Sequence, residues 1–263
     1  MIKYSFLAKM SQIIILILFL VCNFYGFKLL SGDLSSSRLF DTLALSDPFA
    51  VLQIYLATFS IGINAIIGAL IIFLVYSIIA PRVFCGWVCP VNLITSFAYF
   101  IKQKFSIAKD AKVLNLPKNL RYFVLVLVLV LSFLLSTPAF ENVSYIGIIQ
   151  RGVIFLDVSV LFCIFAIFVF DLYICDRGIC SHICPLGAFY ALSSKFSLIR
   201  VHYDMKNCSK CMDCKRVCPE KQVLNMVGKE NGYVSSECIS CGRCVDICQH
   251  NSLKFDIRNL RRK

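Results

Sequence analysis

What this chain most lacks, over long distances, is charge. From Val51 to Pro81 there is no Asp, Glu, Lys or Arg, which excludes a solvated surface helix there. Acidic residues number 15 against 27 Lys and Arg, a formal net charge of +12. Aromatic stacking platforms interleaved with basic residues are missing, however, and the basic residues gather between apolar runs. That pattern excludes a nucleic-acid face and suits orientation at a membrane. Histidine is scarce too: the three lie at His182, His202 and His250. None is paired inside an apolar run, so no bis-histidine haem spans the bilayer. The first apolar stretch, behind Lys3 and Lys9, shows no small-x-small cleavage site and reads as an uncleaved anchor.

What is present in quantity is apolar surface. Of 263 residues, 59% are hydrophobic, with a mean hydropathy of +0.77, more than a soluble domain tolerates. Four stretches reach the roughly 20 residues a spanning helix needs: 11–30, 53–80, 121–139 and 153–174. The Leu/Val alternation of "YFVLVLVLVLSFLL" is that of a strand, but its length and company favour a lipid-facing helix. Segment 81–121 carries Arg82, Lys102, Lys104, Lys109, Lys112, Lys118 and Arg121, whereas the loops 28–53 and 138–152 offer Lys28, Arg38 and Arg151. The positive-inside rule then puts 81–121, both termini and everything after about residue 175 in the cytoplasm.

Fifteen cysteines is a high count. Cys22 and Cys163 sit in apolar runs and read as inert packing; the other thirteen fall in tight clusters on the side that topology makes reducing, which favours metal ligands over disulfides. "CSKCMDCKRVCPE" (208–220) and "CISCGRCVDICQH" (238–250) both follow C-x2-C-x2-C-x3-C. Two-residue gaps let three thiolates of one short loop grip three irons of a cubane, while the fourth cysteine points to the partner cluster. The spacing therefore predicts two [4Fe–4S] clusters. Cys208, Cys211, Cys214 and Cys248 hold the first; Cys218, Cys238, Cys241 and Cys244 hold the second. Zinc knuckles would use two separated C-x2-C pairs instead of triplets. Gly242 allows close backbone approach, Pro219 fixes the turn after Cys218, and Gln249, in place of a second such proline, predicts a looser turn. The basic tail "RNLRRK" reads as a solvated or membrane-surface end.

"RVFCGWVCP" (82–90) has a counterpart in "RGICSHICP" (177–185): both are R-x-x-C-x-x-x-C-P, and both follow a span running inward. This is the mark of an internal duplication. If the segments are helical, cysteines four apart share a face, so Cys85, Cys89, Cys180 and Cys184 come together at the inner end of the bundle. Three roles are open to them: a further metal or cluster site, a redox-active or docking surface beneath the ferredoxin module, and plain packing beside helix-ending prolines. Cys175 has no equivalent in the first box. His182 matches Trp87 there, which argues against a ligand role, and Trp87 reads as an interfacial anchor. Arg82, Arg177 and Asp171 also read as anchors at the inner interface.

In "FCGWVCPVNLIT", "ICSHICPLGAFYAL", "CSKCMDCKRVCPE" and "CISCGRCVDIC" the chain resembles the NapH family, the ferredoxin-type membrane subunit of a quinol dehydrogenase serving periplasmic nitrate reductase. The likeness covers essentially the whole chain. It implies a membrane α-helical fold of four transmembrane helices (residues 1–195) followed by a small α+β bacterial-type two-cluster ferredoxin domain (196–263). It implies a place in the bacterial inner membrane, with the quinone pool as donor, as menaquinol. The implied partners are a periplasmic iron–sulfur subunit of the same dehydrogenase and, through it, nitrate reductase. The clusters then lie inside and the acceptor outside, so the quinol site, another subunit or a different route must bridge them.

Quinol oxidation also needs a proton acceptor. Asp157, a turn into the fourth span, and Glu141, beyond the third, are the candidates; the competing reading is snorkelling or a pair with Arg151. Two other functions share the motifs. One is a membrane polyferredoxin assisting cytochrome-oxidase assembly, which usually carries a further domain after the ferredoxin. The other is a non-catalytic scaffold for a partner dehydrogenase. A regulator type of nitrous-oxide respiration would add a large periplasmic flavin domain.

Overall fold

The computed structural model describes residues 3–25, 30–39, 43–105, 116–155 and 157–258; Lys28, Lys109, Lys112 and the tail beyond Arg258 lie outside them. The chain forms two compact units. One comprises Met1–Ser11, Leu74–Val88 and Tyr190–Lys263; the other comprises Gln12–Phe73 and Cys89–Phe189.

The first unit is built on a three-stranded antiparallel sheet. Ile199–Tyr203 is central, paired with Leu253–Ile257 on one side and Gly232–Tyr233 on the other. In "IRVHY" the alternation turns Val201 and Tyr203 inward, onto Leu224, Val227, Val234 and Leu253. Each large aliphatic so buried contributes about 1.5–3 kcal/mol. Each cysteine run adds one short helix, Asp213–Val217 and Arg243–Ile247, and Cys214 and Cys244 join the same core. The start of the Tyr4–Tyr25 helix belongs here. The backbone N–H groups of Tyr4 and Ser5 donate to the Asp246 carboxylate at 2.9 and 2.8 Å. A carboxylate there satisfies donors that have no partner inside the helix and complements its dipole. Tyr4 also meets Phe255 edge-on, with ring centroids 5.1 Å apart. The far end of the Ile63–Ile79 helix is tied in as well, because Leu198 N–H donates to the Ile78 carbonyl at 2.8 Å.

The second unit is mostly helical. Pro48–Thr58 begins with proline in its first turn, and its preceding Asp47 accepts from Ala50 N–H, the usual chemistry of a helix start. Val91–Phe105, Leu120–Leu135, Ala139–Val143, Tyr145–Phe155 and Ser159–Val169 follow, the last continuing as a π-helical turn over Phe170–Ile174. Ahead of them, Leu30–Gly32, Ser36–Leu39 and Leu43–Ser46 form a small antiparallel sheet in what the sequence suggested was a plain loop.

The apolar stretches differ from their expected lengths. Tyr4–Tyr25, 22 residues, is the one helix among the described residues long and apolar enough to cross a membrane by itself. The stretch 53–80 breaks at Phe59, which adopts a left-handed conformation (φ 52°), leaving Ile63–Ile79 with 17 residues. At 1.5 Å per residue such a helix spans about 25 Å, against about 30 Å of hydrocarbon. Yet Ile14, Leu70, Val126, Leu134 and Phe162 each leave more than half of their surface uncovered. Exposed apolar side chains of this size suit a lipid solvent better than water. The 138–152 segment, expected as an outer loop, is instead two short helices packed into the unit, with Phe140 against Phe49 and its N–H donating to Gln53 at 2.9 Å. The apolar face of "YIGIIQRGVIF" gives it reason to fold inward.

Candidate metal centres

In the first unit the structure draws the two cysteine runs around two separate hollows. One is lined by Cys208, Cys211, Cys214 and Cys248, together with Tyr203, Val227 and Leu253. The other is lined by Cys218, Cys238, Cys241 and Cys244, with Val201, Leu224 and Val234. Each hollow thus takes three thiols from one run and one from the other. Among the described residues, no three or more His, Cys, Asp or Glu converge closely enough for a single metal ion.

The two loops share a backbone plan. Lys210 and Met212 in the first, and Ser240 and Gly242 in the second, all adopt positive φ, between 52° and 71°. This curls each loop so that amides point inward: Lys210 N–H approaches Cys208 Sγ, and Ser240 N–H approaches Cys238 Sγ, both at 3.4 Å. Gly242 is required twice over, by φ +71° and because a Cβ would lie 2.3 Å from the Tyr4 Cβ. Gln249 leaves Cys248 at φ −77°, ψ 100°, close to Cys218 before Pro219 at φ −74°, ψ 126°. The turn therefore survives without proline.

Burial pushes the Cys238 thiol up to about 12, with Cys241 adding to the rise and Arg82 opposing it. Burial first and neighbouring thiols second drive Cys218 and Cys244 well upward too. Four thiolates crowded into an apolar hollow repel one another and cannot stand ionised without a cationic core among them. A cubane supplies one, and the donor set, the inward amides and the dry walls fit it.

The second loop is further clamped by residues 81–87, also in this unit. A Cβ on Gly86 would fall 2.1 Å from the Ile239 carbonyl oxygen. Trp87 Nε1–H donates to the Ser240 carbonyl at 3.0 Å, and Ser240 Oγ donates to the Pro81 carbonyl at 2.7 Å. Arg82 is buried and pairs with buried Glu220 at 2.7 Å, while its guanidinium also reaches the Glu237 carbonyl at 3.1 Å. Arg82 is therefore a buried pairing residue and not an interfacial anchor. The only tryptophan, at a place where the second box has His182, was the one sequence signal that set this segment apart.

In the second unit, Arg177 and Asp171 are likewise buried, Arg177 over the Tyr99 ring at 4.7 Å. Both box arginines take left-handed backbone, φ 42° at Arg82 and 54° at Arg177. The windings differ: Val83–Trp87 is α-helical, whereas Ile179–Ile183 is π-helical, with Cys184 N–H bonded to the Ile179 carbonyl five residues back. Single π turns often mark functional positions. Tyr145 lies against Cys184, with Cys180 and Cys89 close by; Cys85 belongs to the other unit. Asp157 is exposed and accepts from Ser159 N–H and Oγ at 3.1 and 2.8 Å, bracing a helix start. Glu141 faces Arg151 at 3.9 Å, and Arg151 also reaches Asp33 at 3.6 Å.

A family described as "4Fe-4S binding domain" matches residues 61–108 and again 156–203, each copy covering one box, and a family described as "4Fe-4S dicluster domain" matches 200–249. The chain is 38% identical to the "Ferredoxin-type protein NapH" of Haemophilus influenzae and 37% identical to that of Escherichia coli. Each alignment covers 97% of this chain and 90% of the relative. It is 36% identical, at the same coverage, to the "Methylamine utilization ferredoxin-type protein MauN" of Methylorubrum extorquens. No solved structure matches.

Proposed function

The chain belongs to the NapH family of ferredoxin-type proteins, and from that premise we propose that it is the membrane electron-transfer subunit of a quinol dehydrogenase. It takes electrons from menaquinol and delivers them toward a periplasmic iron–sulfur partner and, through it, nitrate reductase. The observation that carries this reading is the pair of hollows, each lined by four cysteines contributed by both runs. Cys208, Cys211, Cys214 and Cys248 hold one [4Fe–4S] cluster, and Cys218, Cys238, Cys241 and Cys244 the other. When bound, such clusters supply reversible one-electron storage. The chain's own residues fix the thiols on curled loops, aim amides at the sulfurs and exclude water with Val201, Leu224 and Val234. Likeness to both NapH and MauN supports assigning electron carriage to this shared core, with the terminal partner set elsewhere.

The protein crosses the bacterial inner membrane four times, with its termini and the cysteine-run unit in the cytoplasm and the domain boundary near residue 195. Two things support this: the basic residues of 81–121, and the presence in one unit of the chain's start, the end of the Ile63–Ile79 helix and the ferredoxin sheet. The short helices fit a bilayer by locally thinning it or by flanking residues snorkelling to its surface. Asp157 and Glu141 have structural partners, and no proton step is assigned to either. The test is low-temperature EPR of anaerobically purified protein before and after a menaquinol analogue. Appearance of reduced cubane signals supports the reading; clusters that dithionite reduces and the quinol leaves untouched refute it.

A further inference from the structure

The two hollows share a loop geometry but differ in what surrounds them. In the first, Ser209, Lys210, Cys211 and Met212 are exposed to solvent. In the second, Ile239, Ser240, Cys241 and Gly242 are buried, held by the start of the first helix and by the 81–87 segment of the first C-x3-C-P box. That segment brings backbone against backbone at Gly86 and Ile239, and one hydrogen bond joins the Trp87 indole to the Ser240 carbonyl at 3.0 Å. Ser240 precedes Cys241 directly and follows Cys238 by two residues. Trp87 stands midway between Cys85 and Cys89. That hydrogen bond links the segment carrying Cys85 to the stretch carrying two ligands of the second hollow. The segment is also the direct continuation of the apolar Ile63–Ile79 helix.

We propose that residues 81–87 are the electron inlet of the ferredoxin unit, with Trp87 as the positioning residue, so that the hollow of Cys218, Cys238, Cys241 and Cys244 is filled before that of Cys208, Cys211, Cys214 and Cys248. This rests on the quinol reading above. One quinol becoming quinone releases two electrons and two protons; each hollow takes one electron, and the protons leave to water. The order follows from the clamp: contact with the box is made at Ile239 and Ser240, and the corresponding Ser209 and Lys210 face solvent.

The experiment is single-turnover reduction of the full-length protein by a menaquinol analogue, followed by freeze-quench EPR alongside redox titration. Cys211→Ser and Cys241→Ser variants assign each signal to its hollow. Trp87→Phe keeps an aromatic ring and deletes the N–H; Lys229→Ala, at an exposed position of the same unit outside both ligand loops, is the control. In the wild type the second-hollow signal should rise first. Trp87→Phe should slow filling of both hollows about fivefold, the worth of one neutral hydrogen bond, while dithionite still reduces both fully. Its titration should move the midpoint of the second-hollow signal and leave the other in place. Lys229→Ala should keep the wild-type rate. The inlet is refuted if the first hollow fills first, or if Trp87→Phe fills at the wild-type rate with both midpoints unmoved. A wild type that quinol fails to reduce overturns the quinol reading and this proposal together, a separate and recognisable outcome.

Discussion

Replacing Arg82 with methionine keeps most of the side chain's volume and deletes its charge. Arg82 and Glu220 side chains are 1% and 2% exposed, joined at 2.7 Å. Without the guanidinium, the Glu220 carboxylate loses its buried charged partner and the Glu237 carbonyl loses the Arg82 donor. Breaking a buried pair by removing one partner costs about 3–5 kcal/mol, because the remaining charge stays buried without compensation. The left-handed backbone at Arg82, φ 42°, adds strain that the pair now holds in place. The loss should appear where the clamp acts. Native-state hydrogen exchange at the amides of 237–244 should accelerate by roughly two to three and a half orders of magnitude, since each 1.4 kcal/mol is about tenfold. Asp213→Asn, at a surface pair 68% and 41% exposed, should cost less than about 1 kcal/mol. Arg82→Met with Glu220→Leu should recover most of the protection, as apolar replacement of both partners commonly does. Exchange in Arg82→Met within about tenfold of the wild type would refute the reasoning.

Gly86→Ala puts a methyl 2.1 Å from the Ile239 carbonyl oxygen, backbone that cannot swing aside, so iron in the second hollow should fall by at least half on anaerobic purification while the first is retained. Cys248→Ser should perturb the same EPR signal as Cys211→Ser, and Cys218→Ser the same signal as Cys241→Ser; serine at 218 and 211 altering one common signal would contradict ligands shared across runs. In iron-free protein, Cys238 sits at about 12 against 9.0 for a free thiol. Thiols of the unfolded chain then ionise first, so the cysteine unit should lose stability as pH rises from about 9 toward 12. Thermal melts of iron-free protein at pH 7 and pH 10 check this, and equal or higher stability at pH 10 would go against it. Under the same iron-free conditions Cys211 should react with iodoacetamide ahead of Cys238, because it is exposed.

What the sequence made legible is what short-range spacing dictates. Two-residue gaps admit one loop geometry, and the structure gathers around each hollow the cysteines that spacing grouped. The α+β character of the C-terminal unit came with the family resemblance, and the structure gives it as the sheet around Ile199–Tyr203 with one short helix per cysteine run. Burial of Arg82, Arg177 and Asp171 was not legible, since a charge beside an apolar run reads as an interfacial anchor until its distant partner is known, and Glu220 lies 138 positions from Arg82. The break at Phe59 was hidden because apolar composition continues through it without proline. Tyr145 was placed in an outer loop because hydropathy separates spans from loops, and a short apolar helix folded back among helices looks like either. The shared R-x-x-C-x-x-x-C-P pattern of the two boxes also concealed their unequal winding.

The most direct test is metal and acid-labile sulfide analysis of the full chain purified without oxygen, with EPR after dithionite. Two cubanes predict about eight irons and eight sulfides per chain, with two interacting S = 1/2 centres. Zinc in place of iron, or protein free of both metals with the eight thiols titratable, would contradict the account at its root.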